Sequence, residues 1–161
     1  MVFFLFWFLF SLLLYVYFGY PFLLLIISRM KKLRVRERPE IVPFVTLIIA
    51  AHNEEEVIAR KIEGVLSQDY SKDKLQVVVA SDASTDRTNQ IVSSYSQRGI
   101  ELYDQKEHKG KSAALNHVVE NIARGEIIVF NDATTLIERD ANRKITSNFS
   151  DDKVGSVSGK L

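Results

Sequence analysis

Asp132 ends an apolar run, Ile127-Ile128-Val129-Phe130, and is followed within three residues by two hydroxyls, Thr134 and Thr135. A carboxylate with a neighbouring hydroxyl is a set of hard oxygen donors, suited to a divalent cation that also grips a phosphate. Three other polar clusters hold residues of complementary chemistry: His52-Asn53-Glu54-Glu55-Glu56, Ser81 to Asp86 around Asp82, and His108-Lys109-Gly110-Lys111. Carboxylates accept hydrogen bonds from N–H groups, imidazoles and amides both donate and accept them, and ammonium groups offset negative charge. Taken singly, each has an ordinary structural reading. Asp132 could cap the next helix, Asn53 and Glu56 have the spacing of a capping box, Asp82 and Asp86 are turn residues, and Lys109 and Lys111 are solvated.

Their placement along the chain favours the chemical reading. Val45–Ala51, Leu75–Ala80, Ile100–Tyr103 and the run ending at Phe130 are apolar and short, as buried strands are. Between them, Val57, Ile58, Ile62, Val65 and Leu66, then Ile91, Val92 and Tyr95, then Ala113 to Ile122, repeat at helical spacing. Gly125 is read as the stop of the third helix. A helix around Asp140–Phe149 and a fifth strand over Val154–Ser158 complete the pattern. Alternating strands and helices predict an α/β fold with a mostly parallel sheet and right-handed crossovers. In such a sheet the four polar clusters all follow strands, so they meet at one edge, where open α/β sheets bind their ligands.

Composition removes several alternatives. There is no cysteine, which excludes disulfides, thiolate metal sites and thiol catalysis. The formal net charge of +1 gives no nucleic-acid footprint, and no nucleic-acid partner is expected. The three closely spaced glycines of a dinucleotide fingerprint are missing. Gly110-Lys111-Ser112 resembles the end of a P-loop, but Gln105 stands where its first glycine belongs.

The amino end differs in kind. Val2 to Ile27 is uncharged and interrupted only by Ser11, Gly19 and Pro21. As a helix it would be about 39 Å long, enough to cross a hydrocarbon core of about 30 Å. Residues 1–28 are therefore read as a transmembrane helix, kinked near Gly19-Tyr20-Pro21. Residues 29–44 follow as a basic juxtamembrane linker with Arg29, Lys31, Lys32, Arg34, Arg36 and Arg38. Basic flanks stay cytoplasmic, so residues 45–161 are expected at the cytoplasmic face of the membrane.

Thr46-Leu47-Ile48-Ile49-Ala50-Ala51-His52-Asn53-Glu54-Glu55, Val77 to Thr88, Lys109 to Asn116 and Phe130 to Thr134 occur in that order. Together they resemble family 2 glycosyltransferases of the GT-A fold, especially the membrane-anchored processive type related to polysaccharide synthases. The resemblance implies transfer of a sugar, with inversion, from a nucleotide-diphosphate sugar, most often a UDP-sugar, to a saccharide or lipid acceptor. It assigns Asp82 to the nucleobase, His52, Asn53 and Glu54 to the nucleoside pocket, and Lys111 to the neighbourhood of the nucleotide. Asp132 and Thr134 match the outer positions of the family's Asp-x-Asp motif, which implies a divalent cation, Mn²⁺ or Mg²⁺. Three departures stand out. Thr134 replaces a carboxylate, His52 stands where Tyr is usual, and Ala51 where Pro is common. The resemblance also places the general base in a later motif, beyond Leu161, so residues 45–161 are expected to be the donor-binding part of a longer enzyme. The alternative is a membrane-tethered nucleotide-sugar-binding module without catalysis.

Overall fold

The computed structural model describes residues 1–30, 40 and 42–159. Of the basic cluster only Arg29 falls within them, and most of the expected linker lies outside. The chain divides into two compact units, Met1–Val35 and Arg36–Leu161.

The first unit is helical: α1 (Val2–Leu14), a π-helical turn (Tyr15–Gly19) and α2 (Tyr20–Met30). Val2–Arg29 is long and apolar enough to cross a membrane by length and composition. Its large side chains face outward all round, from Phe3 to Ile27. The irregularity expected at Pro21 takes the form of the π turn just before it. Pro21 has no N–H to give to the preceding turn, and widening the helix there absorbs the missing bond.

The second unit holds four strands, β1 (Val45–Ala51), β2 (Leu75–Asp82), β3 (Ile100–Gln105) and β4 (Ile127–Asp132). They form one sheet in the order β3-β2-β1-β4 with every pair parallel. Helices α3 (Ile58–Leu66), α4 (Thr88–Ser94) and α5 (Lys111–Asn121) make the crossovers, and α6 (Ala141–Ser147) follows β4. Side chains alternate across a pleated strand, so each strand serves two cores. Leu47, Ile49, Val77, Val79 and Val129 pack with Ile58, Ile62 and Val65 of α3 and Val92 of α4. On the other face Ile48, Val78 and Ala80 meet Ala114 and Val118 of α5. The α/β architecture expected from the sequence is the one observed.

Three local expectations are corrected. Val154–Ser158 forms no strand among the described residues. Two valines three positions apart do not supply the alternation that seats a strand against a neighbour. Gly125 does not end a helix: α5 closes at Asn121, and a Cβ on Gly125 would collide with Thr46 N and Val45 C. The glycine permits close approach instead, its N–H donating to Thr46 Oγ1 at 2.8 Å. Asn53 and Glu56 form no capping box. Helix α3 starts only at Ile58 and has no side-chain cap; the Glu54 carbonyl accepts the first bonds, from Val57 N at 3.0 Å and Ile58 N at 2.9 Å.

Candidate nucleotide-sugar site

Register decides whether Asp82 and Asp132 can share a ligand. Ala50 of β1 lies opposite both Ala80 of β2 and Asp132 of β4. Asp82 is two residues beyond Ala80, so by the two-residue pleat it points to the same face as Asp132. The two carboxylates are two strands apart and two residues out of register, about 12 Å by standard strand dimensions. Strand order reverses at β1, and an open cleft of about 280 Å³ lies at that switch point. Its lining includes His52, Glu54, Asp82, Lys111, Asp132 and Thr134. Asn53 is the one sequence-predicted residue outside that lining.

The β2 end of the cleft is densely bonded. Asp82 is only 4% exposed and sits opposite Gln105 at the end of β3. Its Oδ1 accepts from Gln105 Nε2 and, at 3.1 Å, from Lys109 N. Its Oδ2 lies 2.9 Å from His108 Nδ1. The Asp82 carbonyl accepts from His52 Nδ1 at 2.6 Å. That bond puts the proton on Nδ1 and leaves Nε2 to accept from Asn53 Nδ2 at 3.3 Å. The two imidazoles lie 4.7 Å apart, tilted by 45°. His52, Asp82 and His108 each bring a ligand atom within 4.8 Å of the others. These are donor types that transition metals accept, although here the atoms are engaged with one another.

Asn53 is a strut. It adopts φ 54°, which asparagine tolerates better than most residues. Its Oδ1 accepts from Thr85 N at 2.8 Å, and its N–H donates to Ser84 Oγ at 3.1 Å. Glu54 N donates to Thr88 Oγ1 at 2.8 Å, again joining the loop after β1 to the one after β2. Asp86 accepts from Glu55 N at 3.1 Å and from Thr88 N at 2.9 Å. Burial opposes its ionisation, but the hydrogen bonds from Thr88 and Glu55 outweigh it and hold the carboxyl below its usual range.

At the β4 end the groups are open. Lys111 opens α5 after Gly110, whose φ of 89° suits a residue without Cβ. Lys111 Nζ donates to Asp132 Oδ1, and both side chains are more than half exposed. Thr134 is exposed in the turn closed by Thr135 N and the Asp132 carbonyl at 3.2 Å. The donors here are a carboxylate and a hydroxyl, and an ammonium already sits against the carboxylate. Hard oxygen donors that hold a cation in this way fit Mg²⁺ or Mn²⁺.

Lys61 of α3 reaches the same loop from beneath. It is 3% exposed and donates to Asn131 Oδ1 and to the Thr135 carbonyl. Burial lowers its pKa to about 8, partly countered by the charge of Asp132. Sequence reasoning passed over Lys61, gave Gln105 no role in the site, and placed His108 at the sheet edge without a partner. For Lys61 a signal exists: it interrupts the buried stripe Ile58, Ile62, Val65 at helical spacing. For Gln105 and His108 only cross-strand register and a loop path reveal the role.

A family model for glycosyl transferase family 2 matches residues 46–161. The chain belongs to glycosyltransferase family 2. Within the family it is 35% identical over 132 residues to the probable glycosyltransferase YdaM of Bacillus subtilis, covering 78% of this chain and 31% of that protein. A beta-monoglucosyldiacylglycerol synthase of Nostoc is 33% identical over 119 residues, covering 71% of this chain and 25% of the synthase. The chain thus spans less than a third of the length of these relatives. Among solved structures it is similar to the mannosyltransferase PcManGT of Pyrobaculum calidifontis, in complex with GDP-Man and Mn²⁺. That match has a TM-score of 0.79 and 33% identity, and covers 90% of this chain and 44% of the other. The likeness to a family 2 glycosyltransferase expected from the sequence is thereby established, as is the GT-A type of fold.

Proposed function

We propose that this chain is the donor-binding part of an inverting glycosyltransferase that works at the cytoplasmic membrane face. It takes a nucleotide-diphosphate sugar and serves transfer of the sugar to a saccharide or lipid acceptor. The observation that carries this reading is the placement of Asp82 and Asp132 on one face of the sheet, lining one cleft at the switch point. The base sits at the β2 end, where Asp82 accepts its N–H and His52 lies beside it; Asn53 and Glu54 hold the loop that walls the nucleoside. The diphosphate lies toward β4, near Lys111. Asp132 and Thr134 would hold the divalent cation, which when bound supplies positive charge to the departing diphosphate. Residues 1–28 would anchor the protein through the apolar helix, with residues 29–44 as the basic linker on the cytoplasmic side.

The resemblance favours a UDP-sugar. The similarity to a protein solved with GDP-Man favours a second donor, because guanine, like uracil, places an N–H beside a carbonyl. Isothermal titration of the full chain in detergent with UDP, GDP and their sugar derivatives, with and without Mn²⁺, separates the two. The expected result is cation-enhanced binding of one nucleoside diphosphate, with the enhancement lost in Asp132→Ala. Absence of binding to every member of the panel overturns the reading.

A further inference from the structure

Helix α3 buries Ile58, Lys61, Ile62 and Val65 along one stripe, so a lysine occupies a position where packing alone asks for an aliphatic side chain. Burying an ammonium costs free energy, and an apolar replacement at such a place is often neutral or stabilising for the fold. The charge therefore has to be explained by what it touches. Its two hydrogen bonds end on Asn131 Oδ1 and the Thr135 carbonyl, 70 and 74 residues further along the chain. Those two groups bracket the segment Asp132-Ala133-Thr134. Asn131 lies opposite Ile49, and so on the α3 face of β4, while Asp132 points to the cleft face. Holding one neighbour from below thus fixes the other above it.

We propose that Lys61 is a positioning residue that sets the Asp132–Thr134 turn in the geometry that holds a divalent cation against a nucleoside diphosphate. Lys61 touches neither substrate nor cation. It clamps the two flanks of the turn through Asn131 Oδ1 and the Thr135 carbonyl. The inference rests on the reading of the cleft given under Proposed function.

The test splits cation-dependent from cation-independent binding. Titrations with UDP and GDP, with and without Mn²⁺, are set beside UMP and GMP for the full chain in detergent and for Lys61→Met. Expected is a loss of about tenfold or more in the Mn²⁺-dependent gain of diphosphate affinity, which is about 1.4 kcal/mol. Monophosphate affinity and melting temperature should hold or, for the latter, rise. Asn131→Leu, which removes only the acceptor, should lose the same gain to a smaller degree, and the double variant should be no worse than Lys61→Met alone. Should Lys61→Met fail to fold, Asn131→Leu still decides. A retained Mn²⁺-dependent gain in the folded variants, or an equal loss of monophosphate binding, overturns the positioning role. If the unaltered chain binds no nucleoside diphosphate at all, the reading of the cleft falls, and this inference with it.

Discussion

The two ends of the cleft are built to opposite rules. At the β2 end Asp82 is buried and its carboxylate is held by Gln105 and the Lys109 N–H on Oδ1 and by His108 on Oδ2, with one acceptor position of Oδ2 left over. At the β4 end Asp132 is half exposed and meets the equally exposed ammonium of Lys111. A buried acceptor held by fixed donors is rigid, and it is selective because a misfit ligand leaves its last position unsatisfied in a low dielectric. An open carboxylate with a replaceable ammonium beside it can trade that partner for a cation. The β2 end is preformed; the β4 end is held from beneath by Lys61 and left open above.

The sharpest way to break this contrast is Asp82→Asn. The amide would turn N–H groups toward donors that now point at a carboxylate, so stability should fall by about 3 kcal/mol. Nucleoside affinity should fall with it, and chemical denaturation with monophosphate titration measures both. A stability change within about 0.5 kcal/mol would mean the β2 end is as open as the other.

Next in size is the pH response of Lys61. Its pKa is near 8 in the folded protein against 10.5 ordinarily, so the unfolded chain binds the extra proton between those values. Stability attributable to Lys61 therefore rises as pH climbs from 8 to 10.5 and is lost as pH falls back through 8. The expected amplitude is on the order of 2 kcal/mol. Denaturation of the unaltered chain and of Lys61→Met at pH 7.5 and about pH 10 reads the difference in slope. Parallel slopes would show that the support beneath the β4 end carries no buried charge.

Asp132→Asn should act the other way round from Asp82→Asn. Its ion pair with Lys111 is solvated, so stability should move by less than about 1 kcal/mol. The Mn²⁺-dependent gain in nucleoside diphosphate affinity should nonetheless drop about tenfold or more. The smallest effect belongs to Ala83, which holds φ 52° in the loop after β2. Ala83→Gly relieves left-handed strain while loosening the unfolded chain, a net gain of about 0.5 kcal/mol by thermal denaturation. A loss instead would show that the loop draws its rigidity from that alanine.

Much of this was legible in the chain. The strand runs and helical repeats announced an α/β unit because burial on both faces writes a continuous apolar run, and burial on one face writes a 3.6-residue period. The four polar clusters announced a shared edge and so a candidate site, because residues following parallel strands meet at one edge wherever the strands sit. The Val154–Ser158 strand, the Gly125 stop and the Asn53–Glu56 capping box were misread for a common reason. Each is a local signal with several tertiary uses, and neighbours distant in sequence chose among them.

What the sequence determined by itself is which residues stand at the strand ends and that an uncharged helix precedes them. Composition and periodicity are local quantities, and they suffice for that. The tertiary structure alone decided that Asp82 and Asp132 share a face, since this depends on register between strands that are not adjacent in the chain. It alone paired Gln105 and His108 with Asp82, and Lys61 with the flanks of Asp132. Hydrogen bonds between residues 23 to 74 positions apart depend on how the sheet and helices pack, and no short stretch of sequence encodes that.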